Sequence, residues 1–196
     1  MLPIRLVAGL GNPGRQYSST RHNAGFWFAD ALAAKVGIAL AREVRFAGDV
    51  GKHGDVRIAK PTTYMNDSGR AVAALARFFA VSPAELLVVH DELDLRPGEA
   101  KLKLGGGVAG HNGLRDIQAQ LGSSDFWRLR IGIGHPRDSA LPEQDVVDYV
   151  LKPPRAEERD AIVAAIERAL AAWPDIARGD MEKAMMSLHT KPAEFK

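Results

Sequence analysis

The chain has 196 residues, of which 46% are apolar and 26% are charged, as in an ordinary globular protein. This length suffices for one domain with a substantial core, and no apolar run is long enough to cross a bilayer. The sequence contains no cysteine, which excludes disulfides, thiolate nucleophiles and cysteine-based metal sites, and its net charge of +2 requires any nucleic-acid surface to be local. Because no charged and then apolar leader opens the sequence, we expect a cytoplasmic protein.

Apolar periodicity and helix-stop residues predict an alternation of strands and helices along the chain. The predicted strands cover residues 4–10, 45–51, 56–60, 86–90, 100–104 and 127–133. The predicted helices cover residues 24–36, 68–79, 113–121, 156–173 and 180–188, and residues 145–151 fit a short helix or a loop. Several strands follow one another without a helix between them. This favours a single-domain α/β sandwich with a central twisted, mixed and mostly parallel β-sheet flanked by helices.

Polar side chains are concentrated between the first predicted strand and the first predicted helix. The sequence GLGNPG ends the strand, and Tyr17 and His22 follow before the helix begins. The spacing G-x-G-x-x-G is also that of a dinucleotide-binding site, which requires its third glycine to open a helix. Here Gly14 is followed by seven polar residues, and the acid about twenty residues on, Asp30, lies within the apolar helix pattern. A dinucleotide site is therefore the less favoured interpretation.

His22 permits a structural and a catalytic interpretation. A single histidine at a helix start most often bonds to the backbone. In open α/β sheets, however, sites gather beyond the carboxyl ends of strands, and Asp91 ends the most apolar predicted strand. If the two strands are parallel, this carboxylate can hold one imidazole nitrogen and make the other more basic. His22 and Asp91 are therefore a candidate pair for activating water or a hydroxyl group.

The acidic residues near Asp91 permit two further interpretations. Asp91, Glu92 and Asp94 fit a solvated turn, and together with His90 and His111 they also fit a set of metal ligands. Hydrolytic two-metal sites need several carboxylates and histidines that converge, and one acidic cluster is too few. We therefore expect no metal.

Three asparagines occupy turns or helix starts, namely Asn12, Asn66 and Asn112. Asparagine is common there because it tolerates the left-handed conformation and caps helices. Around one pocket, three such amides would also hold the main chain of a peptide-like substrate and orient a water molecule or a carbonyl oxygen.

Basic residues surround the glycine-rich segment 105–110. They are Lys101, Lys103, Arg115, Arg128 and Arg130. Alternation along a strand places the two lysines on one face, and likewise the arginines at 128 and 130. Such faces are either simply solvated or in contact with nucleic-acid phosphates.

The sequence resembles bacterial-type peptidyl-tRNA hydrolases from its first strand to about Trp173. Five motifs carry the resemblance in the expected order, and they are GLGNPGRQYSSTRHNAG at 9–25, KPTTYMNDSG at 60–69, HDELD at 90–94, KLGGGVAGHNGL at 103–114 and RLRIGIGHP at 128–136. Each motif is modest alone, whereas the ordered set is specific. The resemblance implies a generally monomeric enzyme that cleaves the ester between a peptide and the 3′ end of tRNA. It further implies no metal, no other cofactor and no obligatory protein partner.

The resemblance also implies roles for individual residues. His22 matches the base that activates water, Asp91 matches the carboxylate that keeps it basic, and Asn12 matches the position that separates blocked from free aminoacyl groups. The implied contacts to the peptide or to tRNA are Tyr17, Tyr64, Met65, Asn66, His111, Asn112, Lys101, Lys103, Arg128 and Arg130. No pattern is matched after Trp173, and residues 189–196 are expected to form a flexible tail. A non-catalytic RNA-binding module is the alternative function.

Overall fold

The computed structural model describes residues 1–189, and within that range the strands form one seven-stranded sheet. The strands are β1 (Leu6–Gly9), β2 (Ala41–Glu43), β3 (Gly48–His53), β4 (Val56–Pro61), β5 (Leu86–Glu92), β6 (Ala100–Leu104) and β7 (Trp127–Gly132). The helices are α1 (Ala24–Val36), α2 (Ser68–Phe78), α3 (Asn112–Leu121), α4 (Val146–Val150), α5 (Ala156–Ala171), α6 (Trp173–Arg178) and α7 (Met181–Leu188). The tail expected at 189–196 lies outside the described residues except for His189, whose ring accepts a hydrogen bond from the Leu102 amide at 2.9 Å. In the described part of the chain, no helix is both long enough and apolar enough to span a bilayer.

The sheet is mixed, with the strand order β2-β3-β4-β1-β5-β7-β6. Its central strands β4, β1, β5 and β7 are parallel, whereas β2 and β3 at one side and β6 at the other are antiparallel to their neighbours. The predicted fold class is therefore confirmed. In the register of β1 and β5, Gly9 lies opposite Val89, so the carboxyl ends of these strands lie side by side. This is the arrangement that the pairing of His22 with Asp91 requires.

Helices cover both faces of the sheet and bury two apolar cores. On one face, α1, α5, α6 and α7 pack against alternate strand residues such as Val7 and Leu129. On the other face, α2 and α3 pack against the intervening residues such as Ala8 and Val88. Because successive strand side chains point to opposite faces, the uninterrupted apolar runs of β1 and β5 are explained by burial on both sides.

The structure corrects three predicted boundaries. The segment expected to be one strand at 45–51 begins in a 3₁₀ turn at 44–46 and joins β3 only at Gly48, after Ala47 in the left-handed region at φ 50°. The helix expected at 156–173 ends at Ala171, because Pro174 lacks the amide hydrogen that would continue it and instead lies in the first turn of α6. His111, rather than Asn112, caps α3 with its side chain.

Helix α1 crosses the sheet at very short range. A methyl group added at Gly25, in its first turn, would overlap the carbonyl oxygen of Val89 and the backbone nitrogen of Leu10. The crossing therefore requires a residue without a side chain. The 3₁₀ turn Arg21–Asn23, which directly precedes α1, is thereby held above the ends of β1 and β5.

Candidate active site

A cavity of about 530 Å³ lies at the carboxyl ends of β1 and β5. The residues predicted for the site that line it are Asn12, His22, Tyr64, Met65, Asn66, Asp91, His111, Asn112 and Arg128. Tyr17 adjoins it through an edge-on contact with Tyr64, with ring centroids 6.3 Å apart. Lys101, Lys103 and Arg130 are not part of its lining. The structure thus brings most of the predicted residues together around one cavity.

Two imidazoles share the carboxylate of Asp91. The Nδ1 atom of His22 lies 2.9 Å from Oδ2, and the Nε2 atom of His111 lies 2.9 Å from Oδ1. The Nδ1 atom of His111 accepts the amide hydrogen of Leu114, so the neutral ring carries its proton on Nε2 and donates it to Asp91. His22 likewise donates from Nδ1, which leaves its Nε2 as an acceptor for the cavity.

Electrostatics favour proton uptake by His22. Burial by itself lowers the pKa of His22, but the negative charge of Asp91 and the hydrogen bond to it outweigh burial, so the pKa stands above the ordinary 6.5. For Asp91, burial acts to raise the pKa, yet the two imidazoles hold the pKa of this carboxyl well below its usual range. The pair therefore consists of an ionised carboxylate and an imidazole of raised basicity.

The same three groups satisfy the spacing of a metal site, since one ligand atom from each of His22, Asp91 and His111 lies within 4.8 Å of the others. A metal would need unprotonated imidazole nitrogens pointing at the ion. Here the nitrogens that face Asp91 carry hydrogens, and both carboxylate oxygens accept them. The geometry fits a hydrogen-bonded group better than a ligand set.

His90 is a buried imidazole of the cavity floor that sequence reasoning considered only as a metal ligand. Its Nδ1 donates to the backbone oxygen of Asp91 at 2.8 Å. Burial, reinforced by the neighbouring His111, lowers the pKa of His90 to about 3. His90 is therefore neutral at physiological pH, and its Nε2 is an acceptor without a partner among the described residues.

Asn12 is held by its backbone and by its side chain. Its amide donates to Oδ1 of Asn23 at 2.8 Å, and its carbonyl accepts from Nδ2 of Asn23 at 3.0 Å. The side-chain oxygen of Asn12 accepts the amide hydrogen of Met65 at 2.7 Å. Because the oxygen is committed to this bond, the carboxamide offers its NH₂ group, a donor, to the cavity. Asn66 and Asn112 line the same cavity and complete the set of three amides.

The basic residues of β6 and β7 lie on one face of the sheet. Lys101 is opposite Arg130 and Lys103 is opposite Arg128, and directly opposed residues point to the same side. Arg130 is paired with Glu92 at 2.8 Å. Arg128 is only 3% exposed and donates to the carbonyl of Gly107 at 2.7 Å, so it lies beneath the glycine-rich loop rather than on the open surface.

Helix α4 forms an apolar wall of the cavity that sequence reasoning did not identify. Its contribution consists of Val146, Val147, Val150 and the following Leu151. The sequence of segment 145–151 fits either a short helix or a loop, because so short a stretch does not show a clear period. The sequence does not indicate that these adjacent valines are partly exposed, and their role as a wall follows only from the cavity in the folded structure.

Comparisons with known proteins agree with this geometry. The family model described as peptidyl-tRNA hydrolase matches residues 6–196. A peptidyl-tRNA hydrolase of Thiobacillus denitrificans is 58% identical over 196 residues, covering 100% of this chain and 95% of that protein. One from Azoarcus sp. is 54% identical over 193 residues, covering 97% and 87%.

Solved structures give the same result. The crystal structure of peptidyl-tRNA hydrolase from Acinetobacter baumannii matches with a TM-score of 0.90 at 42% identity, covering 97% of both chains. A peptidyl-tRNA hydrolase in complex with n-propanol matches with a TM-score of 0.89 at 44% identity, also over 97% of both chains. The chain therefore belongs to the peptidyl-tRNA hydrolase family of enzymes.

Proposed function

We propose that this enzyme cleaves the ester between a peptide and the 3′ end of tRNA, with His22 as general base and Asp91 as its orienting carboxylate. The observation that carries the proposal is the 2.9 Å bond between His22 Nδ1 and Asp91 Oδ2. This bond fixes the tautomer, raises basicity and leaves Nε2 free to accept a proton from a water molecule in the cavity.

The reaction needs no covalent intermediate with the protein. Water adds to the ester carbonyl while its proton passes to Nε2 of His22. The tetrahedral oxyanion is stabilised by amide donors such as the NH₂ group of Asn12. Collapse expels the ribose oxygen, which takes the proton back from the imidazolium and leaves a peptide carboxylic acid that ionises in water. An ester is already activated, so the roughly 10² to 10⁴-fold contribution of one positioned base is substantial.

The NH₂ group of Asn12 also supports discrimination between substrates. A blocked aminoacyl group offers a carbonyl acceptor next to its α-nitrogen, which an NH₂ donor can meet. A free α-ammonium group carries only donors, so it would lose hydration without gaining a partner at the Asn12 NH₂ group. We therefore propose that Asn12 favours peptidyl-tRNA over ordinary aminoacyl-tRNA.

The basic face of β6 and β7 is proposed to bind tRNA phosphates. Lys101 and Lys103 lie beside Arg130 on that face. Such contacts fix the position of the RNA without reading its sequence, as an enzyme acting on many tRNAs requires. Arg128 is proposed to contribute indirectly, because it holds the loop that contains Gly107.

The decisive experiment measures hydrolysis of N-acetyl-aminoacyl-tRNA and of its unblocked form, in the presence of a chelator. Turnover of the blocked substrate is expected, whereas a non-catalytic RNA-binding module would show none. His22→Ala should abolish turnover and retain tRNA binding. His53→Ala, at the exposed β3–β4 hairpin, is the matched control and should behave as wild type. Substantial turnover by His22→Ala would exclude His22 as the base.

A further inference from the structure

Arg21 is a buried arginine directly next to His22 in the chain. Its side chain is 8% exposed. The guanidinium carbon lies 3.8 Å from the centroid of the Tyr149 ring, and Nη2 lies 3.4 Å from a carboxylate oxygen of Glu158. Burying a cation is costly unless it is paired and hydrogen-bonded. Such an environment indicates a defined task for this side chain.

The bonds of Arg21 hold the end of helix α4. The last carbonyls of a helix lack partners within it. Arg21 donates from Nη1 to the carbonyl of Tyr149 at 2.9 Å, and its backbone amide donates to the carbonyl of Lys152 at 3.0 Å. The hydroxyl of Tyr149 donates to the carbonyl of Ile133 at 2.8 Å, which ties the same helix to the sheet.

Three of the four cavity-lining residues of segment 145–151 are exposed apolar side chains. Val147 is 56% exposed, and Val146 and Leu151 are also substantially accessible. A helix of five residues is far too short to be stable alone, so its place depends on these tertiary bonds. Arg21 thus connects the turn that carries His22 to an apolar surface that lines the same cavity.

We infer that Arg21 is a positioning residue that holds the α4 wall against the side chain of the peptide's C-terminal residue, the one esterified to tRNA. An apolar wall beside the ester complements a large apolar side chain, and glycine offers it nothing to contact. Arg21 acts through the wall rather than on the proton transfer, because Asp91 bonds to His22 independently of it. The inference rests on the proposed site.

The test compares N-acetyl-phenylalanyl-tRNA with N-acetyl-glycyl-tRNA. Arg21→Met keeps much of the side-chain volume and removes the bonds to Tyr149. It should raise KM for the phenylalanyl substrate roughly 10-fold relative to wild type, with a much smaller change for the glycyl substrate. The acidic limb of the pH profile of kcat/KM should lie at the same pH as in wild type. Equal losses on both substrates, or a moved acidic limb, would overturn the inference.

Two further variants separate this role from a general loss of folding. Arg5→Met is the matched control, because Arg5 also donates to carbonyls at a helix end, those of Phe79 and Ala80 after α2. It should leave the substrate preference unchanged. Val147→Ala truncates the exposed wall itself and should reproduce the loss on the phenylalanyl substrate.

The double variant of Arg21→Met with Val147→Ala should show non-additive losses, since both changes affect one wall. Additive losses would contradict the inference. The proposed base and this inference fail in distinguishable ways. Turnover by His22→Ala would refute the base, whereas the substrate preference of the Arg21 variants is measured with His22 intact.

Discussion

Replacing Asp91 by asparagine should move the acidic limb of kcat/KM to lower pH. The His22–Asp91 contact of 2.9 Å places the charge centres about 4 Å apart, worth roughly 4 kcal/mol at an effective dielectric constant of 20. Part of this is offset by changed solvation, and an adjacent opposite charge usually shifts a pKa by about 1 to 3 units. Burial of His22 remains in the variant. The pKa of His22 should therefore fall from above the ordinary value of 6.5 to below it.

The variant should also lose rate at the plateau. His22 and His111 donate to different oxygens of the Asp91 carboxylate, and in asparagine one of these two positions is an NH₂ group, which cannot accept a hydrogen. We expect kcat to fall by at least about 10-fold. The upper limit of the loss is the roughly 10² to 10⁴-fold contribution of a positioned base.

The assay for this variant is a pH series of kcat/KM on N-acetyl-aminoacyl-tRNA, with Asp94→Asn as control. Asp94 also lines the cavity, so the control removes an equal charge there without touching His22. Its limb should remain close to that of wild type. An Asp91→Asn enzyme whose limb coincides with that of wild type would refute the electrostatic reasoning.

Two other predictions concern stability and tRNA binding. The folded pKa of His90, about 3, lies below the unfolded value of 6.5, so this residue contributes stability above pH 6.5 that is lost as the pH falls toward 3. His90→Asn should therefore flatten the decline in the free energy of unfolding between pH 7 and 4.5 in denaturant titrations, and an unchanged decline would contradict this. Lys103→Ala should lower the slope of log affinity for tRNA against log salt by about 1, while the exposed hairpin variant Lys52→Ala should not. Equal slopes for Lys103→Ala and wild type would indicate that the basic face is only solvated and does not contact tRNA phosphates.

The sequence predicted the centre of the site better than its walls. His22 and Asp91 could be paired because the positions of strand ends follow from apolar runs, and parallel strands bring their carboxyl ends together. Alternation also placed Lys101 with Lys103 on one face of a strand, and Arg128 with Arg130 on one face of another. It could not predict that a glycine-rich loop covers Arg128 and leaves Lys103 in solvent, because depth below a loop depends on tertiary packing.

The anchoring of α4 could not be predicted for a related reason. Arg21 and Tyr149 lie 128 positions apart, and an arginine in a polar run has no local pattern that indicates burial. The division of the strand expected at 45–51 likewise depends on the left-handed Ala47, a conformation that alanine adopts only under constraint from the surrounding structure. Short-range patterns predicted the elements, while side chains that join distant segments required the folded structure.

The close crossing of α1 over β1 and β5 has a consequence for interpreting variants of this enzyme. Gly25 contributes no functional group, yet a methyl group there would overlap backbone atoms at the ends of β1 and β5, just below the turn that carries His22. Substituting even alanine there would lift the start of the helix and stretch the hydrogen bond while every reacting group remained present. A comparison that considers only chemically active side chains would classify such a variant as intact, although we expect it to lose activity.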